Sequence, residues 1–238
     1  MRPVVVVPTY NERANVTQLG AELLRHADVS VIIVDDDSPD GTGQEANRLA
    51  ASSGGRVSVV HRKGPRGFRR SYIEGMKIAL AGGATHILQM DADFSHDPAD
   101  VPRLLTAGRE ADLVVGSRYV AGGRVLNWPL RRMLLSGFAN RYVRTITRMP
   151  VHDCTSGFRC WSRTLLSALD LDDVRSDGYA FLVELAWKAQ RHGGRIVEVP
   201  ITFVERREGA SKLSWRVIAE SVVLPWRLAA RRDNLPVR

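Results

Sequence analysis

Short apolar runs alternate along this chain with longer stretches in which apolar residues recur every three or four positions. Residues 4–7, 29–34, 57–60, 87–90 and 113–115 are too short for helices and rich in β-branched side chains. Such runs predict buried strands of a parallel sheet. Between them Val16, Leu19 and Leu23 share one helical face, 44–51 and 71–81 repeat the pattern, and Asp97-Pro98 reads as an N-cap followed by proline in a fourth helix. Strand and helix in alternation predict an α/β fold with right-handed crossovers. Farther on, 178–193 is predicted helical with Phe181, Leu185 and Trp187 inward, and 195–204 reads as one further strand.

In such sheets ligands bind beyond the carboxyl ends of the strands. Three polar clusters fall there: 8–12 after the first strand, 35–42 after the second, and Asp91-Ala92-Asp93 after the fourth. Each alone reads equally well as a turn with a cap. Together they put acidic groups on one rim, and Asp91 with Asp93 can share a hard divalent cation with a diphosphate. Neither a Gly-x-Gly-x-x-Gly after the first strand nor a Gly-x-x-x-x-Gly-Lys occurs, so phosphates would need a metal to neutralise them.

Length and charge narrow the choice of partner. The 238 residues fit one globular domain spanning 1–238. A net charge of +8 suits nucleic acid, an anionic membrane or a phosphorylated substrate. No recognition helix or base-stacking motif is apparent, so a nucleic-acid-binding protein, whose affinity would fall steeply with salt, is the weaker reading. The two cysteines, Cys154 and Cys160, lack zinc-pair spacing and read as core or near-site thiols of a cytosolic protein. No charged leader precedes the first strand, and no apolar stretch reaches the roughly 20 residues of a membrane span, so any membrane contact is expected to be peripheral.

The second half has a different texture. Between Leu113 and His152 there is no acidic residue, yet Arg118, Arg124, Arg131, Arg132, Arg141, Arg144 and Arg148 are interleaved with Trp128, Leu130, Met133, Leu134, Leu135 and Phe138. A solvated basic face does not account for so many large apolar side chains, whereas a basic amphipathic helix in the segment 124–150, lying on a membrane surface, does. A basic loop is expected at 205–213. The amphipathic tail at 215–238, interrupted by Pro225, reads either as a second interfacial helix or as a cap on the core.

Taken together, Val-Pro-Thr-Tyr-Asn-Glu at 7–12, Val-Asp-Asp-Asp-Ser-Pro-Asp-Gly-Thr at 34–42, Met-Asp-Ala-Asp-Phe-Ser-His-Asp-Pro at 90–98, Gly-Ser-Arg-Tyr at 116–119, Asp-Cys-Thr-Ser-Gly-Phe-Arg at 153–159 and Glu-Val-Pro-Ile-Thr-Phe at 198–203 resemble the family 2 glycosyltransferases, in particular the dolichol-phosphate (polyprenol-phosphate) mannose synthases. The resemblance spans nearly the whole chain. It implies a GT-A fold, a Rossmann-like nucleotide-diphospho-sugar transferase with a mixed, mainly parallel sheet and helices on both faces. It also implies GDP-mannose as donor, a polyprenyl or dolichyl phosphate as acceptor, Mg²⁺ or Mn²⁺, and inversion at the sugar carbon. The enzyme would act peripherally on the cytoplasmic face of a membrane, with an anchoring protein as a possible partner.

By the same resemblance Pro8, Tyr10, Glu12, Val34 and Asp36 match the nucleotide pocket, joined by Ala92. Asp91 and Asp93 match the metal site, with Ser95 in reach of the ion as a weaker ligand. Arg118 and Arg131 match the acceptor-phosphate cations, and Arg206 and Lys212 the donor-side cations on a loop that closes over the donor through Gly209. Arg118, Arg206 and Lys212 then join Asp91 and Asp93 as the catalytic set. The chemistry agrees, because a polyprenyl phosphate is already anionic and needs little deprotonation, while two anions must be held together. The chain departs from the family at Arg66-Gly67-Phe68-Arg69-Arg70-Ser71-Tyr72, where a Gly-Leu-Gly-like turn is usual. That bulk and charge at the nucleotide rim either add a phosphate contact, alter donor preference or weaken binding, and a specialised acceptor is conceivable. The nearest rival is the same chemistry with a UDP-sugar; a non-catalytic relative is disfavoured by intact Asp91 and Asp93.

Overall fold

The computed structural model describes residues 1–205 and 215–231. The chain runs β1 (Pro3–Thr9), α1 (Arg13–His26), β2 (Ser30–Asp35), α2 (Thr42–Ser52), β3 (Val57–His61), α3 (Phe68–Ala81) and β4 (His86–Gln89). A 3₁₀ turn (Pro98–Asp100) then leads into α4 (Val101–Ala107), β5 (Leu113–Ser117), β6 (Arg124–Leu126), α5 (Leu130–Thr147), β7 (Arg159–Ser162) and α6 (Arg163–Ala168). The described chain ends with α7 (Gly178–Arg191), β8 (Ile196–Pro200), β9 (Thr202–Val204) and α8 (Trp215–Ala230). All five strands and the first four helices anticipated from periodicity are present. Asp97 caps its turn as expected, its carboxylate accepting the Ala99 N–H at 2.9 Å.

Seven strands form one sheet in the order β3-β2-β1-β4-β7-β5-β8. All neighbours are parallel except β7, which lies antiparallel between β4 and β5. Along β1 the side chains alternate between two cores. Val5 and Val7 join Leu19 and Leu23 of α1, whereas Val6 joins Tyr72 and Met76 of α3 and Phe181 of α7. A Cβ on Gly75 would fall 2.4 Å from Val6 Cγ1, so α3 lies against the sheet at a distance that glycine allows. Helices therefore cover both faces, and the carboxyl ends of β1, β2 and β4 open on one rim.

Two sequence expectations are corrected. The single strand expected at 195–204 breaks at Ile201: β8 pairs with β5, and β9 leaves to pair with β6 in a separate two-stranded sheet. The basic segment at 124–150 is not one helix throughout, since it opens with β6 before α5 begins at Leu130. The described part of the tail forms α8, with Leu224 and Leu228 buried as a cap on the core requires, while Val222, Val223 and Trp226 are exposed. No described helix is long and apolar enough to cross a membrane. The expected positions Arg206, Gly209 and Lys212 lie outside the described residues.

Candidate active site

A cleft of about 490 Å³ opens at the carboxyl ends of β1, β2 and β4. Its walls include Pro8, Tyr10, Glu12, Asp36, Asp91, Ala92, Asp93, Ser95 and Arg118, so the structure brings together nine of the positions the sequence singles out. Val34 is the exception in the nucleotide set. It is fully buried in the core on the α3 side, because strand alternation points it inward while the chain leaving the sheet after Asp35 frees Asp36.

At one end of the cleft Asp36 is nearly buried. It forms an ion pair with Arg62, which also bonds Glu74 at 2.8 Å, and its Oδ2 accepts the Gly67 N–H at 2.7 Å. The same turn sets Arg66 over the Tyr10 ring, 4.7 Å from its centroid, with an N–H donated to the Tyr10 hydroxyl. Arg66, Gly67 and Phe68 thus form part of the cleft wall, tied to it by the Asp36 carboxylate.

At the centre the Tyr72 hydroxyl donates to Asp91 Oδ1 at 2.8 Å, and the Ser95 N–H donates to Asp93 Oδ1 at 3.0 Å. Phe94 between them has φ 58°, a left-handed conformation that costs a bulky residue roughly 1–2 kcal/mol. That strained link gives the 91–95 loop its shape. Burial first, then the Asp91 charge, pushes the Tyr72 phenol well above its ordinary range, so it remains a donor. Among the described residues no three His, Cys, Asp or Glu side chains converge as a closed metal site. Two carboxylates opening on a cleft fit instead a hard divalent ion whose other ligands are phosphate oxygens and water. Beside them His96 is buried between Phe158, at 5.1 Å, and Phe203, at 5.4 Å. Desolvation pushes it down to about 4, so its imidazole is neutral at pH 7.

The far end is basic and aromatic. Arg118, largely buried, grips the fully buried Asp153 through Nε and Nη2, each at 2.7 Å, and donates from Nη2 to Thr155 at 2.8 Å. Its Nη1 carries none of these bonds, and the Tyr119, Trp128 and Phe203 rings surround the guanidinium at 5.2–5.5 Å. Burial opposes its charge, but Asp153 outweighs burial and holds the pKa above the ordinary arginine value. Arg131 is exposed and lines no part of this surface. Its neighbour Arg132 does, stacked 4.0 Å over Trp128 and paired with Glu205. The phase of α5 decides between them, since consecutive residues diverge by about 100° around a helix.

Arg118, Trp128, Arg132, Thr155 and Tyr179 also border a second, apolar groove of about 400 Å³, running between α5, α7 and α8 past Leu135, Phe138, Val183 and Leu224. The sequence did not single out Trp128, Arg132, Thr155 or Tyr179 as site residues; the Arg-Trp interleaving in 124–150 is the signal that bears on two of them. Cys154 and Cys160 are buried core thiols, pushed up to about 12 by burial. Arg159, fully buried, donates to the carbonyls of Cys154, Ser156 and Leu182 at 2.7–2.8 Å and so ties the 153–158 turn to α7.

A mainly parallel seven-stranded sheet with one antiparallel strand, helices on both faces and an acidic rim at its carboxyl ends is a GT-A fold. Residues 4–170 match the family described as Glycosyl transferase family 2, and the chain belongs to that family. It is similar over 238 residues, at 44% identity, to a polyprenol monophosphomannose synthase of Mycolicibacterium smegmatis, with 98% of this chain and 89% of the relative covered. An undecaprenyl-phosphate mannosyltransferase of Micrococcus luteus is also 44% identical, with 100% of this chain and 99% of the relative covered. The fold is similar to that of a mannosyltransferase from Pyrobaculum calidifontis solved in complex with GDP-Man and Mn²⁺, with a TM-score of 0.62 at 20% identity over 97% of this chain and 64% of the other.

Proposed function

We propose that the chain is a polyprenyl-phosphate mannose synthase, transferring mannose from GDP-mannose to a polyprenyl or dolichyl monophosphate with inversion at the sugar carbon. The observation that carries the reading is the continuity of two surfaces. A polar cleft containing Asp91 and Asp93 meets an apolar groove at Arg118, Trp128 and Arg132, which suits an acceptor with an anionic head and a long hydrocarbon tail. The 44% identity to enzymes named for the same chemistry supports it.

In this reading Asp91 and Asp93 would hold Mg²⁺ or Mn²⁺, whose charge would offset that of the donor diphosphate. Pro8, Tyr10, Glu12 and Asp36 form the nucleotide end. Arg118, through Nη1, and Arg132 hold the acceptor phosphate beside the sugar, and the Asp153 clamp fixes the Arg118 fork before substrate arrives. An oxygen of the acceptor phosphate attacks the anomeric carbon from the face opposite the diphosphate, so no side chain need remove a proton. Arg206 and Lys212 would cover the donor from the 205–213 segment, excluding water. The isoprenoid tail occupies the groove past Leu135 and Phe138. The exposed Leu130, Leu134, Leu135 and Phe138 of α5, with Val222, Val223 and Trp226 of α8, dock the enzyme peripherally on the cytoplasmic face of a membrane, directly or beside an anchoring protein.

Donor choice tests the reading. Purified enzyme given a short polyprenyl phosphate, Mn²⁺ and, in separate reactions, labelled GDP-mannose or UDP-glucose should form a lipid-extractable product from GDP-mannose alone. Product from UDP-glucose and none from GDP-mannose would reassign the donor.

A further inference from the structure

Tyr72 lies on the core side of the cleft, at relative exposure 0%, at the end of the 66–72 segment. Its ring stacks on Phe181, with centroids 6.2 Å apart and an interplanar angle of 18°, and meets Phe68 edge-on at 4.9 Å. Packed this way the ring has one polar atom, and that atom donates to Asp91 Oδ1 at 2.8 Å. The other carboxylate oxygen of Asp91 faces Gly157, where an added Cβ would stand 3.2 Å from Oδ2. Oδ1 is therefore held by a hydrogen bond, while Oδ2 lies where glycine, and no larger residue, leaves room beside it.

We infer that Tyr72 is a positioning residue for the divalent cation: its hydroxyl, bonded to Oδ1, fixes Asp91 in the orientation that binds the ion. The inference rests on the reading of Asp91 as a metal ligand. Hydrogen bonds to a ligating carboxylate set its plane before the ion arrives, and removing such a partner typically weakens metal affinity about 10–100-fold. Because α3 carries both Tyr72 and the turn that buttresses Asp36 through Gly67, the same helix sets the nucleotide wall and the metal carboxylate.

The experiment is a Mn²⁺ titration followed by electron paramagnetic resonance, in the presence of saturating GDP, on wild type, Tyr72→Phe and Phe181→Leu. Tyr72→Phe keeps the ring and removes the donor; Phe181→Leu loosens the ring's packing and keeps the donor. We expect Mn²⁺ affinity to fall about tenfold in Tyr72→Phe and to stay within about twofold of wild type in Phe181→Leu, whatever each does to thermal stability. The metal concentration for half-maximal transfer should rise in parallel, with KM for the lipid acceptor unchanged. Unaltered Mn²⁺ affinity in Tyr72→Phe, or an equal loss in Phe181→Leu, overturns the role of the hydroxyl while leaving the metal site standing. Failure of wild type itself to bind Mn²⁺ with GDP overturns the metal reading and this inference together.

Discussion

Arg118 and Asp153 form the most tightly specified ion pair of the site. Asp153 is 0% exposed and accepts three hydrogen bonds from Arg118, two from its guanidinium and one from its backbone N–H. Removing one member of a buried pair strands the other, at a cost of about 3–5 kcal/mol. Asp153→Ala should therefore lose about that much stability in urea unfolding as well as acceptor binding, while the exposed Arg131→Ala should do neither; equal effects of the two would contradict the assignment. His96 supplies a pH-dependent counterpart. Burial pushes it from 6.5 down to about 4, so between those values the unfolded chain binds a proton that the native one refuses. Stability is then fully present above about pH 6.5 and is lost as the pH falls toward 4, about 3 kcal/mol in all. Across that window wild type should lose about that much more stability in urea than His96→Phe; parallel losses would contradict a buried neutral imidazole. At this scale the sequence locates Asp91, Asp93 and Asp36 because they follow apolar runs. Arg131 comes from the family resemblance, and its neighbour Arg132 lines the cleft because of the phase of α5, which depends on a start position that pattern does not supply.

At the scale of elements, strands with strong β-branched runs were legible and short strands were not. Strand β7 carries Arg159 in its middle, and that arginine is buried by donating to backbone carbonyls rather than by being apolar; β6 and β9 have three residues each, too few to show a period. Helix α5 was legible from its interleaved arginines and large apolar residues, and it leaves Leu130, Leu134, Leu135 and Phe138 each about two-thirds exposed. Such a face is stable in water only at the cost of hydrated apolar surface, and a lipid interface removes that cost. The double variant Leu134→Glu, Phe138→Glu should float less well with anionic vesicles than wild type and retain its melting temperature within a few degrees. Undiminished flotation would move membrane contact to another surface.

For the whole molecule, the arrangement of cleft and groove explains why one sheet can serve two dissimilar substrates. The carboxyl ends of β1, β2 and β4 supply the acidic floor, the turn before α3 one end wall of the cleft, and α5, α7 and α8 the apolar channel. The two meet at Arg118, Trp128 and Arg132, the junction through which the proposed reading brings the anionic head of a lipid to the sugar. The sequence could not show this junction, because Arg118 just past β5, Trp128 and Arg132 around the start of α5, Thr155 of the 153–158 turn and Tyr179 of α7 are brought together only by the fold. The most direct test of the account is transfer of labelled mannose from GDP-mannose to a polyprenyl phosphate with Mn²⁺, wild type beside Asp93→Ala and with free polyprenol as a second acceptor. The account predicts lipid-extractable label from wild type with the phosphate only, reduced at least about 100-fold by Asp93→Ala; label transferred equally by the variant, or equally to the free alcohol, would contradict it.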